Sequence, residues 1–229
     1  MIILFYILFY SWTFIFFSSF FFVRLCSFKF TSKISKFWTK SIIKLIESFL
    51  GIRCKIRGIE NLSDKPVIVV SNHQSAWETF YFFILFKDPT YVLKKELKRI
   101  PIMNEFFKKL GFIFVDREMG SNSLRGILKK INKKEISSKR TIIIFPEGTR
   151  VNDEEKSKIN PGFFFLYKHL DMPILPVVHN SGKYWHNQKF KKTSGEIDLR
   201  IFPSIAPGKK KIEILSLINS IFQETKKVG

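Results

Sequence analysis

Hydrophobic and polar positions are arranged in three different ways along the 229 residues of the chain. Residues 1 to 23 carry no charged side chain and end in a dense block of Phe before Arg24, so this stretch has no polar face. From Thr31 to Leu50 the apolar residues Ile34, Phe37, Trp38, Ile42, Leu45, Ile46 and Phe49 recur at steps of three and four, with Lys33, Lys36, Lys40, Lys44 and Glu47 opposite them. That is the period of an amphipathic helix. Beyond Gly51 short apolar runs alternate with amphipathic stretches. The runs predict strands over Ile52 to Arg57, Val67 to Ser71, Phe112 to Val115, Thr141 to Phe145, Ile174 to Val178 and Ile197 to Phe202. The stretches between them predict helices over Ser75 to Phe86, Ile102 to Leu110, Ser121 to Lys134, Gly162 to His169 and Ile212 to Lys226. Such alternation implies an α/β fold, a mixed sheet flanked by helices, in which ligands collect where loops leave the strand ends. Pro66, Pro101, Pro146, Pro173, Pro176, Pro203 and Pro207 fall at or near the edges of these elements, as residues lacking a backbone N–H should.

The length suits one domain with an appendage, here an α/β domain over residues 51–229 preceded by a two-helix segment over residues 1–50. As a helix, residues 1 to 23 would extend roughly 30 to 35 Å, enough to cross the apolar core of a bilayer. A cleaved signal peptide fits poorly, because no basic region precedes the run and no Ala-x-Ala site follows it. The segment therefore predicts an uncleaved membrane anchor, spanning the bilayer or dipping into one leaflet. The basic amphipathic helix after it predicts an interfacial element on an anionic membrane surface, the other reading being a helix packed on the protein's own core. Arg24, Lys29 and the helix lysines place the rest of the chain on the cytoplasmic side by the positive-inside rule, which implies the inner, cytoplasmic membrane.

Charge narrows the partners without choosing one. Lys and Arg number 39 against 19 Asp and Glu, a net charge of +20, which favours a phosphate-bearing substrate, acidic lipid or nucleic acid. The other reading of that excess is a reliance on Lys, Ile and Phe such as an AT-rich genome would produce, without any partner. Phe lies in apolar runs rather than interleaved with Lys, and no recognition motif is present, so nucleic acid is not expected. Cys26 and Cys54 have neither zinc nor disulfide-framework spacing, and His73, His169, His179 and His186 match no zinc motif. No metal site and no bound cofactor are expected.

The candidate chemistry begins at Asn72-His73-Gln74-Ser75-Ala76-Trp77-Glu78, where a buried-strand pattern runs into an apolar helix. On one continuous helix His73 and Glu78 would point apart; across a strand-to-helix turn they can meet. Two roles are then open to Glu78. It can orient the imidazole, as the carboxylate does in a Ser-His-Asp system, with the nucleophile supplied by a substrate hydroxyl. Alternatively, Ser75 to Glu78 is a capping box, in which Glu78 bonds the Ser75 N–H and does no catalysis. A second strand ends in Phe145-Pro146-Glu147-Gly148-Thr149-Arg150, which brings an acid, a flexible Gly, a hydroxyl and an Arg to one strand end; a third delivers Asp116-Arg117. Arg forks onto phosphate oxygens and a carboxylate accepts hydroxyl protons, so the two clusters suggest one anion pocket. No G-x-S-x-G elbow is present, which disfavours a serine hydrolase.

These segments resemble the glycerolipid acyltransferase family, most closely its bacterial 1-acylglycerol-3-phosphate acyltransferases. Asn72, His73 and Glu78 correspond to a block normally written N-H-x-x-x-x-D, with Glu in place of Asp. Gly111 to Arg117 matches a second block, Phe145 to Arg150 matches F-P-E-G-T-R throughout, and Ile174-Leu175-Pro176-Val177-Val178 matches a fourth. Gly58 to Leu62, and His179-Asn180-Ser181-Gly182 with Trp185, are similar to the bacterial branch. The resemblance implies transfer of a fatty acyl group from coenzyme A or acyl carrier protein to the free hydroxyl of lysophosphatidic acid, giving phosphatidic acid; a sister activity on glycerol 3-phosphate or another lysolipid is the alternative. It implies His73 as general base, Glu78 as its orienting partner, and Arg117, Glu147, Gly148, Thr149 and Arg150 as the glycerol phosphate seat. Backbone amides after His73 are expected to steady the oxyanion. The acyl thioester is then a co-substrate and acyl carrier protein a partner candidate.

Overall fold

The computed structural model describes residues 1–116, 140–151, 159–186 and 189–227. Its strands are β1 (Ile52–Arg57), β2 (Ile68–Ser71), β3 (Pro89–Lys94), β4 (Ile113–Val115), β5 (Thr141–Ile144), β6 (Ile174–His179) and β7 (Gly195–Ile201), which form one sheet in the order β1-β7-β6-β2-β5-β3-β4. Every neighbouring pair is parallel except β6 and β7. The helices are α1 (Ile2–Ser19), α2 (Phe28–Leu45), α3 (Trp77–Leu85), α4 (Pro101–Lys109), α5 (Gly162–Leu170) and α6 (Lys211–Lys227). The mixed α/β architecture expected from the apolar runs is the one present.

The central strands show why those runs are continuous. Val67, Val69, Ile143, Leu175 and Val177 pack on one face of the sheet under α1 to α4, while Ile68, Val70, Ile142, Ile144, Ile174 and Val178 pack on the other under α5 and α6. Successive side chains point to opposite faces and both faces are covered, so neither alternate position is free to be polar.

Three local expectations differ from the structure. β3 is an additional strand: Thr90-Tyr91-Val92-Leu93 is short and sits between Asp88-Pro89 and a Lys-rich stretch, and its extended form is secured by pairing with β5 on one side and β4 on the other. Pro176 lies inside β6 rather than at an edge. Its carbonyl accepts from Phe202 N at 3.0 Å, so its nitrogen faces β7 just where that pairing ends at Ile201, and no ladder bond is lost. Helix α3 begins at Trp77, two residues after Ser75. The helix expected over Ser121 to Lys134 lies outside the described residues.

The amphipathic period of α2 is used mostly within the protein. Trp38, Ile42, Ile43 and Ile46 are buried in the same core as α3, whereas Phe37 is 61% exposed and Lys33, Lys40 and Lys44 face outward. Ser27 caps the helix by accepting from Phe30 N at 3.3 Å. Helix α1 packs beside it: Phe5 and Phe16 are buried, and the Phe16 ring lies 5.9 Å from Trp38 and 5.7 Å from Phe106. The opposite face of α1 stays apolar, with Ile3, Ile7, Tyr10 and Phe14 each more than half exposed.

Candidate active site

Strands β5, β2 and β6 are adjacent and parallel, so their C-terminal ends open at one edge of the sheet. The turn after β2 carries His73, the loop after β5 carries Phe145 to Arg150, and the turn after β6 carries Ser181 and Gly182. Convergence of strand ends is where open α/β sheets place ligands.

His73 and Glu78 meet across the turn, with His73 Nδ1 2.8 Å from Glu78 Oε1. The same oxygen accepts from Gln74 N at 2.9 Å and Ser75 N at 2.8 Å. One carboxylate therefore makes both the imidazole contact and the Ser75 N–H contact that the two readings of Glu78 require. The amides of Gln74 and Ser75 are accordingly committed to Glu78, so they are not the oxyanion donors expected after His73. Glu78 Oε2 accepts from the hydroxyls of Ser75 and, at 3.0 Å, Ser181. Burial pushes the Glu78 carboxyl up, but the imidazoles of His179 and His73 and the hydrogen bonds from His73 and Ser75 outweigh it and hold it well below the usual carboxylate range. An ionised Glu78 keeps the proton of His73 on Nδ1 and leaves Nε2 as the basic nitrogen.

The β5 loop holds the other side of the ring. Phe145 stacks on His73 with centroids 4.2 Å apart and planes 17° from parallel. Glu147 Oε2 accepts from His73 N at 2.8 Å, and Val151 N donates to His73 O at 2.9 Å. Glu147, expected on the glycerol phosphate, fixes the backbone of the imidazole. Gly148 has φ +72°, a left-handed conformation that side-chain-bearing residues rarely adopt, and Thr149 and Arg150 are exposed beside it. Arg117 lies outside the described residues.

His73, Thr149 and Arg150 stand on the wall of a cavity of about 530 Å³ that continues between Phe16, Trp38, Phe80, Phe83 and Phe106. A smaller hollow of about 290 Å³ is lined by Asp116, Glu147, Gly148 and Thr149. The Asn72 side chain donates to His179 O at 2.8 Å and accepts from His179 N at 3.1 Å, extending the β2–β6 pairing by one step. Gln74 Oε1 accepts from Gly182 N at 3.0 Å. Sequence reasoning missed Ser181, Phe145 and Gln74 as parts of the site. The sequence signals for Ser181 were its place just past a strand and the resemblance of His179 to Gly182 to the bacterial branch, neither of which says which strand lies alongside.

A family model described as Acyltransferase matches residues 53–180. The chain belongs to the acyltransferase family. The matched stretch contains the His73–Glu78 pair, the β5 loop and His179, all of which the fold gathers at one edge. Among curated proteins, this acyltransferase-family chain is 33% identical over 168 residues to the 1-acyl-sn-glycerol-3-phosphate acyltransferase of Pseudomonas aeruginosa, covering 73% of this chain and 65% of that protein. It is 33% identical over 137 residues to the protein of the same name from Saccharomyces cerevisiae, covering 58% of this chain and 45% of that one. The match thus spans less than two thirds of the length of either relative. Among solved structures, the 1-acyl-sn-glycerophosphate (LPA) acyltransferase PlsC from Thermotoga maritima superposes with a TM-score of 0.77 at 21% identity, covering 98% of this chain and 94% of that one.

Proposed function

We propose that the chain transfers a fatty acyl group from an acyl thioester to the free hydroxyl of 1-acylglycerol 3-phosphate, giving phosphatidic acid. The observation that carries this reading is one cavity joining a His–Glu pair and an Arg to a wall of aromatic rings: base, counter-charge and acyl seat lie together. The names of the two curated relatives support the acceptor.

His73 Nε2 takes the proton of the substrate hydroxyl as its oxygen attacks the thioester carbonyl, while Glu78 stabilises the imidazolium that forms. The tetrahedral adduct collapses to the ester, the C–S bond breaks, and the imidazolium returns its proton to the leaving thiolate. Atoms balance as thioester plus alcohol giving ester plus thiol, and no covalent enzyme intermediate is needed. Arg150 and Arg117 supply charge for the phosphate, and Glu147, Gly148 and Thr149 form the wall against the glycerol. The thioester is carried by coenzyme A or acyl carrier protein.

Membrane association suits substrates whose acyl chains belong to a bilayer. Helix α1 is 18 residues long, with a mean hydropathy of 1.8, or about 27 Å. One of its faces is packed on the domain and the other is apolar and exposed, an arrangement suited to lying in a single leaflet. Lysines on α2 and the adjoining residues then meet anionic headgroups, on the cytoplasmic side by the positive-inside rule.

The test is an acyl-transfer assay on the full-length chain in membranes, with lysophosphatidate and glycerol 3-phosphate offered separately alongside coenzyme A and carrier-protein thioesters. Phosphatidate formation is expected. Transfer to glycerol 3-phosphate alone would reassign the acceptor, and transfer to neither would remove the reading.

A further inference from the structure

Glu78 is one methylene longer than the Asp usual at its place, and the structure has a specific use for the extra reach. Its Oε1 is saturated by the three N–H donors of the His73 turn. Its Oε2 is turned toward a pair of buried hydroxyls, Ser75 on its own turn and Ser181 after β6, which lie 2.7 Å from each other. Both serines are fully buried, as is Glu78. The pair has two hydroxyl protons for three oxygen–oxygen contacts, so at least one proton always rests on Oε2, and both do when each serine donates to it. Ser75 Oγ also accepts from Trp77 N at 3.1 Å, which fixes its orientation and directs its proton away from the helix.

We propose that Ser181 is a positioning residue for the catalytic pair: it clamps Glu78 Oε2 from the neighbouring strand and so sets the direction and basicity of the carboxylate that orients His73. The proposal rests on the acyl-transfer reading for its kinetic consequences but not for its structural one. A carboxylate relieved of a donor concentrates negative charge on its remaining contacts and holds the imidazolium proton more tightly. The other titratable or charged groups around this pair are His179 from β6, Glu147 on the His73 amide, Arg150 on the shared cavity wall, and Tyr91 of β3, whose hydroxyl donates to Thr79 O at 2.7 Å. Ser181 itself touches one of them, its backbone N–H donating to His179 Nδ1 at 3.3 Å, a contact that Ser181→Ala retains.

The experiment is Ser181→Ala in the full-length chain, alone and combined with Glu78→Asp, with rates taken per folded enzyme. In the wild-type background kcat should fall about tenfold, the scale of one lost hydrogen bond to a charged group. The KM for lysophosphatidate should stay within about twofold, and the acid limb of kcat/KM should move to higher pH. Glu78→Asp withdraws the carboxylate by about 1.5 Å, beyond reach of Ser181, so there Ser181→Ala should cost less than about twofold, a non-additivity that marks action through Glu78. Independently of any substrate, the Nδ1 proton of His73, followed by NMR in micelles, should shift in Ser181→Ala. Equal losses in both backgrounds, or an unmoved acid limb and Nδ1 proton, would overturn the proposal.

Discussion

The two ends of the large cavity are built on opposite principles. At the His73 end the imidazole is held by several partners: it is bonded to Glu78, stacked on Phe145 and tied by its backbone to Glu147 and Val151. At the far end the wall is aromatic, with Phe16 stacked on Trp38 and tilted against Phe106, and Trp38 edge to face with Phe80, contacts that fix shape but satisfy no hydrogen bond. On the proposed acyl-transfer reading, the difference teaches that reacting groups are oriented by directional bonds, which tolerate little displacement, whereas an acyl chain needs only a non-directional apolar lining. Damage should therefore differ in kind between the ends.

The largest effect is expected at the polar end. His73→Ala should lower kcat by about a hundredfold or more, the contribution of a positioned base, with lysophosphatidate binding retained. A variant whose binding falls while its turnover survives would erase the contrast between the ends. At the aromatic end, Met103→Trp adds bulk to the cavity wall. It should reduce kcat/KM for long-chain thioesters about tenfold relative to short ones, the scale on which apolar pockets discriminate a few methylenes, and leave short-chain kcat near wild type. An equal loss on all chain lengths would show the wall to be part of the chemical end. The smallest effect belongs outside the cavity. Ile7→Lys with Phe14→Lys places charge on the exposed face of α1. The pair should release the protein into the soluble fraction on vesicle sedimentation while changing the melting temperature by only a few degrees. A large loss of stability would mean that this face is packed rather than bathed in lipid.

A truncation at residue 50 would test less, because the first 50 residues contribute Phe16, Trp38, Ile42 and Ile46 to the core under the sheet and part of the cavity wall. Sequence periodicity separates residues 1–50 by composition, yet composition says only that a face is apolar, not whether lipid or protein covers it. The same ambiguity hid β3, whose four-residue run becomes a strand through two neighbours. By contrast, β1 runs from Ile52 to Arg57 in both the pattern and the structure, since its alternation and the left-handed Gly51 before it are local signals.

What was determined by the chain alone is what depends on near neighbours: the alternation of strands and helices, the His73–Glu78 turn, the β5 loop with its Glu, Gly, Thr and Arg, and the excess of positive charge. Each rests on backbone geometry or spacing within a few residues. What only the tertiary structure decided is the order of strands, because a buried run is equally apolar beside any partner. Placing β2 between β5 and β6 is what sets Glu147 on the His73 amide and Ser181 on Glu78, contacts that cross 74 and 103 residues of sequence. Hydrogen bonds of that span carry no sequence period; they exist because adjacent parallel strands end at one edge.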